Sequence, residues 1–186
     1  MRPLLFILIA SSTLAAQTRE RFEFRGLHLG DSLTSDLVRD QRLNCRKVGP
    51  GESCEAADKH VAGVTTFWVS AETIDRKISG FRIDFGARDF GAIQDAFTAR
   101  WGKPDSVETR DWQNRAGAKF PNRVVHWNLG DGALEVSQLG PSMTTGEVSI
   151  DFLPLVDIQA KRRACAAAKA ALKDLGGKLP EGCSFQ

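Results

Sequence analysis

The chain has 186 residues, with 25 Lys and Arg against 23 Asp and Glu for a formal charge of +2. So even a balance leaves no electrostatic footprint for nucleic acid, and the length suits one domain with a core of its own. Eleven Phe and four Trp stand beside no Tyr, and the four Cys make an even set.

The first residues are MRPLLFILIASSTLAA: a positive charge at Arg2, an apolar run from Pro3 to Ala10, then small residues at Thr13, Ala15 and Ala16. This is the pattern of a secretory signal peptide over residues 1–16, too short for a membrane span. It predicts a periplasmic or secreted protein with a single α+β domain over 17–186. No cysteine stands near the cut to take a lipid, and no later stretch is apolar enough to span a bilayer.

In 21–30, Phe22 and Phe24 alternate with charges, and Leu27 and Leu29 flank His28, which reads as a strand with a bulge near Gly26. Asp31 or Ser32 then caps a short helix to about Gln41, with Leu33 and Leu37 on one face. The stretch between Cys45 and Cys54, rich in Gly, Pro and Ser, reads as a loop. Residues 61–70 and 77–85 read as strands joined by a hairpin at 73–76, the second with Phe81, Ile83 and Phe85 on one face.

The next helix is clearer. Asp89 is its expected N-cap, and Phe90, Ile93, Phe97 and Trp101 share one arc at 3.6 residues per turn. Gly102, free of a Cβ, can take the left-handed conformation that ends a helix, and Pro104 forbids continuation. Strands follow at 106–112, around Val125, Trp127 and Leu129, at 134–139, and around Val148, Ile150 and Phe152. A loop at 113–122 and a tight turn at 130–132 separate them. A last helix is expected over 157–175, its apolar arc made by Ala164, Cys165, Ala168, Ala171, Leu172 and Leu175. Lys161, Arg162, Arg163, Lys169, Lys173 and Lys178 form the wet side of that region.

Strand, glycine break, helix and further strands thus occur twice, over 21–85 and 86–153, before a C-terminal helix and tail over 156–186. Neither half buries enough surface alone. Pooling their strands gives one mostly antiparallel sheet of about seven strands with two or three helices on one face.

This tandem pattern, with its Trp101-Gly102-Lys103-Pro104 helix stop and Trp112 in the strand that follows, resembles two related groups. One is the small outer-membrane assembly lipoproteins of the SmpA type. The other is the secreted β-lactamase inhibitor proteins, with two helix-plus-meander units on one curved sheet. The likeness covers roughly residues 30–152. The first half departs from it, since Gln41-Arg42-Leu43-Asn44 lacks the Gly-x-Pro stop. The resemblance implies binding to another protein of the envelope or extracellular space through the exposed sheet face, without catalysis and without a cofactor.

An even cysteine set behind an export signal favours two disulfides. Of three pairings, Cys45–Cys54 and Cys165–Cys183 each close a short loop, worth about 3 kcal/mol apiece through the unfolded state. No Cys-x-x-Cys is present for redox work, and the spacings do not suit zinc.

Signals for chemistry are sparse. His28, His60 and His126 are scattered, and Asp84, Asp89 and Asp95 are spread over a strand and a helix. No Gly-x-Ser-x-Gly elbow or phosphate loop occurs. Gly30-Asp31-Ser32 is like the Gly-Asp-Ser start of some esterases, so one rival is a hydrolase assembled from Ser32, His28 and His126. It predicts those side chains within hydrogen-bond reach. A second rival, a carrier of an apolar ligand, predicts an enclosed cavity between sheet and helices. On the binding reading the candidate contact residues are Trp68 and Trp112, provided they emerge on the uncovered face; if they point under the helices they are core. Trp127 is expected in the core.

Overall fold

The computed structural model describes residues 22–49, 51–173 and 183. The expected signal peptide therefore lies outside the described residues, as do Leu175 and Lys178. Among the described residues no helix is long and apolar enough to cross a membrane.

The elements run β1 (Glu23–Phe24), β2 (Leu27–His28), α1 (Ser35–Asp40), β3 (Leu43–Val48), β4 (Gly51–Ala56), β5 (His60–Val61), β6 (Val64–Thr65), β7 (Trp68–Ile74) and β8 (Lys77–Gly86). After them come α2 (Phe90–Trp101), β9 (Ser106–Gln113), β10 (Lys119–Asn128), β11 (Gly132–Ser142), β12 (Thr145–Phe152) and α3 (Leu153–Lys173). The fold is α+β. One antiparallel sheet has eight strands in the order β3-β4-β7-β8-β12-β11-β10-β9.

The order contains two four-strand meanders that meet at their last strands. β8 and β12 pair antiparallel, setting Phe81 beside Ile150 and Ile83 beside Val148. Strand residues alternate between the faces, so this seam fixes which side is apolar across the whole sheet. Val69, Phe81, Ile83, Phe85, Val148, Ile150, Val136, Leu134, Val125 and Trp127 are buried on that side. α2 supplies the covering layer through Phe90, Ile93, Phe97 and Trp101, the arc expected from the sequence. The N-terminal segment adds Phe22, Leu27, Leu29 and Leu33 to the same core.

Several local readings are corrected. The stretch 21–30 is a hairpin, β1 with β2, because Arg25 (φ 54°) and Gly26 (φ 76°) both take positive φ and reverse the chain. Residues 61–70 divide in the same way: Ala62 and Gly63 turn β5 into β6, and β7 starts only at Trp68. The helix cap is neither Asp31 nor Ser32 but Thr34, whose Oγ1 accepts from the Leu37 N–H at 3.3 Å. Residues 30–33 are tied instead to β8: Gly30 donates to Ile78 O at 2.7 Å, and Ile78 N–H to Asp31 O at 2.8 Å. The Cys45–Cys54 segment is not a loop but the hairpin β3–β4, with the two cysteines directly opposite each other. Those two strands join the sheet while the 21–30 hairpin stays outside it, which makes eight.

α3 begins at Leu153, earlier than the expected 157, because Pro154 fits the first helical turn, where its missing N–H costs nothing. Its expected apolar arc is weakly used: Ala164 and Ala171 are exposed, and Cys165 and Ala168 are half-buried. Leu155 is the buried anchor. Disulfides join Cys45 to Cys54 and Cys165 to Cys183.

Candidate functional site

The side of the sheet opposite α2 carries the mainly polar half of the strand alternation, with Val124 and Phe120 among its apolar members. Register places one row across all eight strands: Asn44, Glu55, Ser70, Arg82, Ser149, Glu135, His126 and Ser106. A parallel row runs Trp68, Asp84, Glu147, Ser137, Val124 and Glu108. Trp68 therefore emerges on this face. So does Trp112, two residues along β9 from Arg110 on the same side. The positions that the sequence offered as either binding or core are thus on the face opposite α2, one toward each end of the sheet, while α3 crosses part of that face, where Val156, Gln159 and Arg163 line a groove with Glu72, Arg82 and Asp151. Trp127 and Trp101 are in the core.

Both exposed-face tryptophans are held rather than loose. Trp68 is half-buried, with the Arg46 guanidinium 5.4 Å and the Lys59 ammonium 5.8 Å from its ring centre. Trp112 donates its indole N–H to Gly140 O at 2.8 Å and lies 6.1 Å from the Phe120 ring. A ring pre-set in this way presents its face without losing side-chain entropy on binding.

Between them the floor is rich in carboxylates. A cleft of about 470 Å³ is lined by His126, Glu135, Ser137, Glu147, Ser149 and Asp151, with Leu153 at one wall. Arg82 reaches Asp151 at 2.7 Å, and Ser149 donates to the other oxygen of Asp151 at 3.0 Å. At the β9 side, Glu108 accepts from His126 at 3.0 Å and pairs with Arg110, which also meets Glu135 at 3.2 Å. The bond to His126, then that to Arg110, holds the Glu108 carboxyl below its ordinary value.

Asp84 and Glu147 are the exception. They lie directly opposite each other on β8 and β12. Arg82 is committed to Asp151, so neither has an ion-pair partner among the described residues. Burial raises the Asp84 carboxyl above its ordinary value. Burial raises Glu147 as well, and the neighbouring charge of Asp84 adds to the effect. The sequence shows Asp84 only as one of three aspartates spread over a strand and a helix, and it does not single out Glu147. The signal was present in the alternation Glu147-Val148-Ser149-Ile150-Asp151, which sets three polar side chains on one face, but not in which strand would lie alongside.

The hydrolase residues are not brought together. His126 is on the polar face of β10. His28 is in the β1–β2 hairpin, and Ser32 bridges to Lys77, in a segment whose Leu27, Leu29 and Leu33 pack into the apolar core. Residues 30–33 run alongside the start of β8, whereas His126 is on β10, with β12 and β11 between those strands, and among the described residues no hydrogen bond links His28, Ser32 and His126. The cleft serines are also committed, Ser149 to Asp151 and Ser137 to Leu139 O at 2.9 Å, so neither is set up by His126 as a nucleophile. His60 pairs with Asp58 on the small β5–β6 hairpin. Among the described residues no group of three or more His, Cys, Asp or Glu is placed to hold a metal ion. Where the carrier reading puts a ligand, rings are packed: Phe22 against Phe81 at 5.1 Å and Trp101 at 5.3 Å, Phe97 against Trp101 at 5.2 Å and Trp127 at 6.3 Å.

No family model matches the chain, and neither a curated protein nor a solved structure matches it.

Proposed function

We propose that the protein is an exported, non-catalytic binding module that docks another protein of the envelope or extracellular space on the face of its sheet opposite α2. The observation that carries this reading is the placement of Trp68 and Trp112 on one face, both held by neighbours, with the carboxylate-lined cleft between them. Trp is among the residues that most often anchor protein interfaces, and polar groups already satisfied by hydrogen bonds commonly surround such anchors. The committed serines argue against a nucleophile in the same cleft. Export is supported by the N-terminal signal pattern and by two disulfides, which suit an oxidising compartment. The resemblance to the SmpA-type lipoproteins and β-lactamase inhibitor proteins points the same way.

The test is capture from an envelope extract on immobilised protein, comparing wild type with Trp68→Ala and Trp112→Ala. The expected result is a discrete captured protein whose recovery falls several-fold with either variant, while thermal unfolding of the variants stays close to wild type. Recovery that ignores both substitutions, or turnover of a small substrate by the purified chain, rejects the reading.

A further inference from the structure

β9 closes one side of the sheet, and its outer edge faces no strand among the described residues. Its eight residues pair with β10 one for one, from Ser106 with His126 to Gln113 with Lys119, without a register shift. In such a pair alternate residues turn their N–H and C=O outward, away from the neighbour. Proteins guard an open edge with proline, a bulge, charged side chains or a short strand. The sequence SVETRDWQ has no proline or glycine and no bulge interrupts it, and its charges, Glu108, Arg110 and Asp111, are of mixed sign, so they repel some alignments and attract another. The opposite edge is guarded: β3 has six residues, carries Arg46 and Lys47 in succession, and is stapled to β4 by a disulfide.

The charge order of β9 decides what fits it. Glu108 and Arg110 are next to each other on the face opposite α2, and Thr109 lies between them on the other. Suppose the same strand of a second copy pairs antiparallel about a two-fold axis perpendicular to the sheet. Only registers centred on a residue keep the two faces opposite α2 on one side. Centred on Glu108, that residue meets its own charge; centred on Arg110, so does the arginine. Centred on Thr109, Glu108 lies opposite the partner's Arg110 and Arg110 opposite the partner's Glu108. The two threonines then face each other as a favourable β-branched pair, and Ser106 lies beside the partner's Trp112. The neighbouring registers are repelled and this one is attracted, which is how a strand edge selects a single partner alignment.

We propose that β9 is a self-association edge: two copies pair antiparallel through β9, centred on Thr109, and join their sheets into one continuous layer. The faces opposite α2 in the two copies then form a single surface with two clefts and four exposed-face tryptophans.

The test uses the full chain in sedimentation equilibrium over a concentration series at low ionic strength. Wild type is expected to show a reversible monomer–dimer equilibrium that weakens with added salt. E108R and R110E each set like charges opposite one another twice, and each is expected to weaken self-association by at least about tenfold. Mixing the two single variants restores both attractive pairs, so a heterodimer is expected from two chains that are monomeric alone. Far-UV dichroism and thermal unfolding of each variant alone first show that both keep the fold, so the mixture reads only the pairing. Wild type that stays monomeric at every concentration overturns the proposal, as does a dimer indifferent to both reversals. Failure of the mixed variants to associate overturns it too. The first of these outcomes is what an edge reserved for a strand of some other protein would give.

Discussion

Trp127 and Trp112 each donate an indole N–H to a backbone carbonyl, yet they work on opposite sides of the sheet. Trp127 is buried and bonds Gly102 O at 2.9 Å, so it ties the end of α2 to β10. Trp127→Ala is expected to cost about 3–5 kcal/mol, and Trp127→Phe about 1–2 kcal/mol for the lost bond and volume, read by urea denaturation. Trp112→Ala, on the exposed face, is expected to cost much less. The carboxylates make a prediction in pH. Glu147 is raised above its ordinary 4.5 by burial and by Asp84. The native state therefore holds this proton more tightly than the unfolded chain does. Its contribution favours folding at acid pH and turns against it as pH climbs through the raised value. Glu147→Gln should be more stable than wild type at neutral pH, with the advantage shrinking toward zero as pH falls below the ordinary carboxylate range. Denaturation of both proteins across that range reads the difference; an advantage that does not change with pH would mean that charge is not its cause.

At the scale of an element, α2 shows how a few residues set a boundary. Gly102 has φ 80° and ψ −171°, a region that essentially only glycine enters, and its N–H closes the helix on Thr98 O at 2.9 Å. The expectation of a glycine stop is met, though by a more extended backbone than the usual left-handed cap. Gly102→Ala should cost about 1–3 kcal/mol. Gly91, inside the same helix, has open space where a Cβ would go. Gly91→Ala should instead stabilise by about 0.5–1 kcal/mol. Thermal unfolding of the pair separates backbone strain from helix propensity within one element. The strand seam gives the opposite case. A Cβ on Gly146 would run into the Phe85 ring across the β8–β12 pair. This glycine is needed because a large ring sits opposite, not because of any turn.

For the whole molecule, β8–β12 is the joint between two meanders. Apart, each half would expose one side of that seam: Phe81, Ile83 and Phe85 in the first, Val148 and Ile150 in the second. The α2 layer belongs to the second half, while Phe22, which stacks on Trp101, belongs to the first. Fragments 22–86 and 87–173 made separately are expected to lack cooperative unfolding, by far-UV dichroism and by the spread of amide proton shifts. A fragment that melts cooperatively alone would show that its half does not depend on the shared core.

The sequence by itself determined the class of fold, the twofold succession of helix and strands, the α2 arc with its glycine stop, and the inward positions Phe81, Ile83, Phe85, Val125, Trp127, Val148 and Ile150. These are written in short-range periodicity, which a single chain displays without its neighbours. Where it misled, between residues 21 and 70, turns with positive-φ residues such as Arg25-Gly26, Ala62-Gly63 and Gly49 made hairpins that propensity alone reads as one strand or a loop. Only the tertiary structure decided that Trp68 and Trp112 share a face, that Asp84 meets Glu147, that Ser32 pairs beside β8 while His126 is on β10, and that β9 is left at an open edge. Each of these depends on which strand lies beside which, and strand order is settled by burial of the common core rather than by any local signal.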